Sequence, residues 1–443
     1  MKTPVYDFVR RYTEQNGSRL HMPGHKGIGP LGCEALDITE IAGADSLYEA
    51  DGILAESEQN AAALFGTART FYSAGGSSQC VKAMLLLAMK KTGRRTILAA
   101  RNVHKSFVHA AALLDLSPRW LWPQGPCELL RCEVSEAQLE QALSDCETPP
   151  AAVYLTSPDY LGNLQPIGRL AEICHRHGVL LLVDNAHGAY LHFLDRPCHP
   201  IDLGADLCCD SAHKTLPVLT GGAYLHLSRQ ADFGPDEEIR QALALFGSTS
   251  PSYLILESLD LCNRYLDENY PAALAETVDR VAALKEQLAA QGWSVLPGEP
   301  LKITLCTADS GLSGGTVAER LRSAGVECEY ADPDYLVLMV SPQNSRGDFA
   351  RLLTALPPCP GPVGPGAQRF VLSPPAQVLS VRRALLSPSI SLPAAQAVGR
   401  ICADPTVSCP PAVPVAVSGE RISAGAAAVF AHYGIETVSV IKE

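Results

Sequence analysis

Apolar and polar positions along the chain alternate between two periods. The opening MKTPVYDFVRRYTEQNG carries charges throughout a helical pattern, which predicts an amphipathic helix. RLHMPGHKGIGP (19–30) then interposes glycines and prolines that forbid regular structure. A helix is predicted over 56–65. A strand in ARTFYSA follows, running into Gly75, Gly76, Ser77 and Ser78, and an apolar helix begins at QCVKAMLLLAMKK. From there strand and helix patterns alternate singly: TILAARN, a helix over 106–114, RWLW, a helix over 135–146, AAVYLTSP, a helix over 167–177, and VLLLVDNAH. Strands separated by single helices imply an α/β class with a mainly parallel sheet covered on both faces. A short β-type run, 207–209, precedes Lys214.

After position 260 the pattern predicts one long helical segment through 291, strand-like WSVL and LKITLCT, a helix over 315–324, the strand YLVLMVS and a helix over 345–356. That suits a smaller α/β domain. PPCPGPVGPG (357–366) reads as a stiff linker. The last module has a helix-like AAQAVGRI, a proline-rich turn at 410–414 and a helix that Ser423 caps. The expected divisions are an N-terminal arm (1–55), a large domain (56–260), a smaller domain (261–356) and a C-terminal module (367–443).

Composition narrows the classes. A chain of 443 residues implies about two or three domains. Hydrophobic residues at 47% and charged residues at 19% exclude a disordered acidic protein. A net charge of -12, without a lysine- or arginine-rich block, argues against nucleic acid and favours small cationic ligands. No apolar signal segment or run of membrane-spanning length occurs, so no membrane association and a cytoplasmic location are expected. The 15 cysteines include no CxxC pair, which fits reduced thiols better than disulfides or zinc. His21 and His25 are spaced for a metal on a helix, but Pro23 and Gly24 between them break that geometry, and no metal is expected.

Ligands of open α/β sheets gather at the carboxyl ends of strands, and those ends carry polar residues at 102–104, 157–160, 184–187 and 211–214. Lys214 is flanked by Ser211, His213 and Thr215, with a glycine pair still to come. A lysine drawn beside another cation and partly desolvated becomes an amine nucleophile able to form an imine; the alternative is a solvated cation capping a strand. Asp184 follows five apolar residues, so its carboxylate needs a partner, either a protonated pyridine nitrogen or a loop donor. The Gly-Ser turn at 75–78 opens a helix, where N–H groups and hydroxyls hold a phosphate or form a plain N-cap. Its spacing is neither a Walker loop nor a dinucleotide fingerprint. An imine-forming lysine, a carboxylate for a ring nitrogen, a histidine for a ring face and donors for a phosphate are together what pyridoxal 5'-phosphate requires.

HMPGHKG (21–27), DITE (37–40), RNVHKS (101–106), TSPDYLG (156–162), DNAHGAY (184–190), SAHKTL (211–216) and STSPSYLILESLD (248–260) stand in one order along most of the chain. In these motifs the chain resembles the short form of the fold-type I pyridoxal-phosphate decarboxylases of ornithine, lysine and arginine. The resemblance implies an aspartate aminotransferase-like large domain, a smaller α/β domain and a C-terminal module. It implies that Lys214 forms the imine with the cofactor, Asp184 partners the pyridine nitrogen and His104 stacks on the ring. Ser77, Ser78, Ser211 and His213 would surround the phosphate, and Ala186 would pack on the other ring face. Ser248 and Thr249 would reach the phosphate of a neighbouring subunit, making a homodimer or higher homo-oligomer with shared sites. Lys214 and His187 are the candidates for returning a proton to the substrate Cα, with His187 alternatively orienting the ring oxygen.

The chain departs from the family pattern in having AGGSS for an Asn-Gly-Ser-Thr-Ser turn, Asn185 where an acidic residue is common, and Tyr190 where a histidine is common. SCPPAVPVAVSGE (408–420) replaces a Tyr-Pro-Pro-Gly stretch and a Pro-Gly-Glu turn, and ALLSPSISLP (384–393) lacks acidic residues for a basic side chain. The expected activity is decarboxylation of arginine, lysine or ornithine to the amine and carbon dioxide, a step of polyamine biosynthesis. The alternatives are an aminotransferase or lyase on the same fold, and a paralogue that binds the cofactor without turnover.

Overall fold

Short runs, apolar in most cases, become the strands of the main sheet; the run at 117–121, SPRWL, is mixed in polarity. The strands are β1 (Arg69–Ser73), β2 (Thr96–Ala100), β3 (Ser117–Leu121), β4 (Ala152–Thr156), β5 (Leu180–Asp184), β6 (Leu207–Asp210) and β7 (Ala223–Leu227). The computed structural model describes residues 1–125, 131–359, 361, 363–371, 373–407 and 413–442. Its main sheet has the order β1-β7-β6-β5-β4-β2-β3 and is mostly parallel, as β5 with β6 and β2 with β3 illustrate. β7 runs antiparallel to both β6 and β1. The link from β6 to β7 holds only a single helical turn and a short loop, too little chain for a parallel crossover. Sequence patterning did not bring out β7 as a strand.

The helices are α1 (Pro4–Glu14), α2 (Ile53–Leu64), α3 (Gly76–Thr92), α4 (Lys105–Leu114), α5 (Glu136–Ser144), α6 (Ile167–Arg176), α7 (Ala212–Thr215), α8 (Asp236–Ala244) and α9 (Tyr253–Glu268). They continue with α10 (Tyr270–Ala290), α11 (Gly314–Ser323), α12 (Arg346–Ala355), α13 (Val381–Leu385) and α14 (Ala424–His432). By packing, the chain divides into a first unit of residues 1–94, 151–153 and 167–273 and a second of residues 95–150, 154–166 and 274–443.

In the first unit, Asp260 of α9 accepts from the otherwise orphaned N–H groups of Val5 and Tyr6, each at 3.0 Å, and so ties down the start of α1. Asp45 does the same for α2, accepting from Leu54 N at 2.8 Å. Glu58 of α2 pairs with Arg240 of α8 at 2.6 Å, both buried. The loop at 19–30 contains no helix or strand, as its prolines and glycines require.

In the second unit, β8 (Lys302–Cys306), β10 (Tyr335–Met339) and β9 (Tyr330–Ala331) form an antiparallel sheet, with Val281, Leu288, Trp293, Val317 and Leu321 in its core. Three sequence expectations need correction. The long segment after 260 is two helices, because Asn269 leaves the helical region (φ -131°) and Pro271, tolerated in a first turn, starts α10 afresh. WSVL makes one isolated bridge, Val295 with Leu305, rather than a strand. AAQAVGRI holds a single 3₁₀ turn, Ala394–Gln396, because Gly399 takes a left-handed conformation (φ +83°). Within ALLSPSISLP lies β11 (Ser389–Pro393), which pairs antiparallel with β14 (Thr437–Ile441); β12 (Thr406–Val407) pairs with β13 (Ala416–Val417). Ser423 caps α14 as expected, accepting from Ala426 N at 3.1 Å. Residues 410–412 of the expected proline-rich turn, and 360 and 362 of the linker, lie outside the described residues.

Candidate active site

β5 and β6 pair in parallel with Asp184 opposite Cys209, and each strand ends in a buried carboxylate, Asp184 (3% exposed) and Asp210 (0%). Asp184 Oδ1 accepts from Ala186 N at 3.2 Å and from the Cys209 thiol at 3.7 Å. After Asp184 the backbone turns back on itself, with Gly188 N donating to Asn185 O at 2.8 Å. A Cβ at Gly188 would lie 2.0 Å from Asn185 Oδ1, so this turn requires glycine. It carries Ala186 and His187, both buried. His187 Nε2 stands 3.1 Å from Lys214 Nζ, which reaches it from α7, the single turn that follows β6. An imidazole at hydrogen-bond distance from an amine can hold or relay its proton.

β6 also delivers Ser211, whose Oγ donates to Ser77 Oγ at 2.7 Å. Ser77 and Ser78 lie in the first turn of α3, whose N-cap, Gly75, supplies no side-chain cap. Gly76 takes a left-handed conformation (φ +69°), and its N–H donates to Gly221 O at 2.8 Å. The start of α3 is therefore fixed by backbone, while its N–H groups are not consumed by a cap. His213 sits beside it with Nδ1 3.0 Å from Gly222 O. Gln79 anchors the turn by donating to Tyr48 Oη and Leu243 O, each at 2.8 Å. A Cβ at Gly247 would fall 1.9 Å from the Tyr48 hydroxyl, so the chain at 247 passes directly over this anchor. Ser248 and Thr249 follow, exposed, with Ser248 Oγ accepting from Ser250 N at 3.1 Å.

The first unit thus gathers Lys214, Asp184, Ala186, His187, Ser77, Ser78, Ser211 and His213 around the ends of β5 and β6 and the start of α3, and carries Ser248 and Thr249 nearby. His104 belongs to the second unit. There it caps α4, its Nδ1 accepting from Ser106 N at 3.2 Å. Next to it, Asn102 is buried with Nδ2 and Oδ1 both lacking hydrogen-bond partners among the described residues, although Thr156 Oγ1 donates to its backbone carbonyl at 3.1 Å.

Two features escaped the sequence reading. Arg101, at the end of β2, is fully buried and donates bidentately to Glu420 at 2.7 Å per bond and to Pro414 O at 2.9 Å, between the rings of Trp120 and Trp122. Thus the Ser418-Gly419-Glu420 turn keeps its carboxylate in place without the proline of the family pattern, and Gly419 (φ +91°) leaves room for Leu379 O, which a Cβ would meet at 2.2 Å. The second is the set of imidazoles around Asp210, His199 and His226, with Nε2 atoms 3.0 and 3.2 Å from Asp210 Oδ2. A carboxylate closing an apolar run, and histidines set in other apolar runs, were the available signals.

No helix among the described residues is long and apolar enough to cross a membrane. The family model described as Orn/Lys/Arg decarboxylase, major domain, matches residues 3–308. An uncharacterized protein of Bacillus subtilis, YaaO, is 30% identical over 96% of this chain and 92% of its own. The arginine decarboxylase of Bacillus subtilis is 29% identical over 95% of this chain and 91% of its own. Among solved structures, the Francisella novicida lysine decarboxylase LdcF superposes with a TM-score of 0.83 at 17% identity, covering 99% of this chain and 81% of that one, a likeness of fold. With a family match across most of its length and relatives aligned nearly end to end, the chain belongs to the Orn/Lys/Arg decarboxylase family of pyridoxal-phosphate-dependent, fold-type I enzymes.

Proposed function

We propose that the chain removes the α-carboxyl group of a basic amino acid, arginine first among the candidates, with pyridoxal phosphate held at Lys214 and Asp184. The observation that carries this reading is the convergence at the ends of β5 and β6 of a buried carboxylate with an amine 3.1 Å from an imidazole. Arginine is favoured over lysine and ornithine by the near end-to-end alignment with a Bacillus arginine decarboxylase.

The residues fit the cofactor in three respects. Asp184 is a desolvated acceptor suited to a protonated ring nitrogen, Ala186 is small enough to leave a flat floor for a ring, and the uncapped start of α3 presents N–H groups and serine hydroxyls to an anion. When bound, the cofactor supplies an aldehyde that captures amines and a protonated ring that accepts the electron pair released by the departing carboxylate. Lys214 would hold the aldehyde and yield it to the substrate amine. Asp184 would keep the ring nitrogen protonated. Ser77, Ser78, Ser211 and His213 would orient the phosphate, and His104 would cover the ring. His187, within reach of Lys214 Nζ, would hold the proton that returns to the substrate Cα or orient the ring oxygen.

Ser248 and Thr249, exposed in one chain, would complete the phosphate site of a second copy, so that the active unit is a homodimer. The direct test incubates the protein, loaded with pyridoxal phosphate, with arginine, lysine and ornithine separately while carbon dioxide and amine are followed. Release of both in equal amounts from one of the three is expected; transamination products, or no turnover of any, would overturn the reading.

A further inference from the structure

Asp210 immediately precedes Ser211, and it is surrounded. Its Oδ1 accepts from the Asn185 side-chain amide at 2.7 Å, from the Cys208 thiol at 3.7 Å and from His199 Nε2 at 3.2 Å. Oδ2 faces His199 Nε2 at 3.0 Å and His226 Nε2 at 3.2 Å. Asp210, Asn185, His199, His226 and Cys208 are all at 0% exposure.

The ring tautomers follow from the outer nitrogens. Ile201 N donates to His199 Nδ1, so that ring carries its proton on Nε2 and donates to Asp210. Thr70 Oγ1 lies 2.9 Å from His226 Nδ1 and can do the same for the second ring. Burial pulls the His226 imidazole below its ordinary value. Burial alone would raise the Asp210 carboxyl, and the hydrogen bonds from His199 and His226 oppose that rise. Asp210 is thus a buried anion held by N–H and S–H donors. The other titratable groups around it are Tyr224, opposite it on β7, Asp184 at the end of β5, Cys209 on β6, Cys80 on α3, and His192, whose ring lies 6.3 Å from that of His199 and whose Nδ1 pairs with Asp202.

The Asn185 amide is the bridge. Asn185 N donates to Cys209 O at 3.0 Å while its side chain donates to Asp210, so one residue clamps the end of β5 to the end of β6 on both sides. Asp184 and Ala186 flank Asn185 on one strand; Ser211 and the turn bearing Lys214 follow Asp210 on the other.

We propose that Asp210 is a positioning residue of the active site, fixing through Asn185 the spacing between the Asp184 and Lys214 strand ends and lending its buried charge to the protonated form of whatever is bound between them. This rests on the reading of Lys214 and Asp184 as the partners of pyridoxal phosphate. The pair can be exchanged: with Asp at 185 and Asn at 210, the amide would donate to the carboxylate from the other strand while its oxygen still accepts from the imidazoles.

The test loads each variant with pyridoxal phosphate and follows three quantities: the midpoint pH of the bound cofactor's absorbance change, its dissociation constant, and thermal unfolding. In Asp210→Asn the midpoint should fall by about one pH unit, since loss of a nearby anion weakens the cationic form, and the dissociation constant should rise about tenfold. The exchange variant, Asn185→Asp with Asp210→Asn, should regain most of both, and more stability than either single change. An unmoved midpoint in folded Asp210→Asn overturns the proposal. So does an exchange variant that recovers stability without the midpoint, or one no more stable than the single variants. Borohydride reduction of the wild-type holoenzyme separates the two readings: cofactor trapped on Lys214 leaves the parent reading standing even if Asp210 proves silent.

Discussion

Asp210 in the first unit and Glu420 in the second are both buried carboxylates, yet they are held in opposite ways. Glu420 has its charge cancelled on the spot by Arg101, which is itself capped by Pro414 O and flanked by two indoles, while Val417 N donates to the same carboxylate at 2.8 Å. Among the described residues Asp210 meets an amide, two imidazole N–H groups and a thiol. A closed ion pair exerts little field beyond itself, so Glu420 contributes shape. An anion held by uncharged donors keeps its field, and it stands where the chain turns toward Lys214. The charge of Asp210 is therefore placed to act on a neighbouring site, and that of Glu420 to act on folding.

The largest effect that would break this contrast is on turnover in the first unit. Asp184→Asn should retain some cofactor, keep its melting temperature within a few degrees and lose at least about a thousandfold in turnover, equivalent to about 4 kcal/mol of barrier. Near-normal turnover in a steady-state assay would show that the pairing with a ring nitrogen is wrong.

In the second unit the reverse should hold. Glu420→Gln strands a buried guanidinium and should cost about 3–5 kcal/mol in urea unfolding. Replacing both partners, Arg101→Met with Glu420→Leu, should recover much of that loss. Equal destabilisation in the single and double variants would mean that the pair is not a self-contained lock.

A third buried carboxyl sharpens the comparison because it has neither kind of support. Glu257 of α9 is 3% exposed, and its Oε1 has no hydrogen-bond partner among the described residues. Burial, with Asp37 and Asp260 nearby, pushes it up to about 8. A carboxyl raised in the folded state binds its proton more tightly there than in the unfolded chain. Its contribution is thus fully present below the ordinary glutamate range and is lost as pH rises through about 8. Between those limits its share of the slope should approach about 1.4 kcal/mol per pH unit, and Glu257→Gln should remove that share from unfolding curves measured across the window. The smallest effect is expected at a helix cap: Ser423→Ala, which removes the cap of α14, should cost about 1 kcal/mol in the same unfolding assay.

Most strands of the main sheet were legible as apolar runs followed by polar residues, the pattern that burial on two faces imposes, but β7 was not. The pair β11 with β14 was not either, since its residues mix polarity and derive their order from partners distant in sequence, and β12 and β13, two residues each, are too short to show a period. Lys214 and Asp184 stood out because a charge after an apolar run demands an explanation. Asp210 satisfied the same criterion, but it falls between the run at 207–209 and the polar residues at 211–214 and was assigned to neither. Its imidazole partners lie 11 and 16 residues away, on a loop and on a strand that patterning had not shown, so their setting in apolar runs did not link them to Asp210. Glu420 was hidden for the same reason, its partner Arg101 being 319 residues distant.

The account stands or falls on Lys214. Borohydride reduction of the protein loaded with pyridoxal phosphate, followed by proteolysis and mass spectrometry of the peptides, measures this directly. The pyridoxyl group should be found on the peptide containing Lys214 and should vanish in Lys214→Ala, whose fold should be unchanged. A stoichiometric adduct on any other lysine, or no adduct in a protein that still releases carbon dioxide from a basic amino acid, would contradict it.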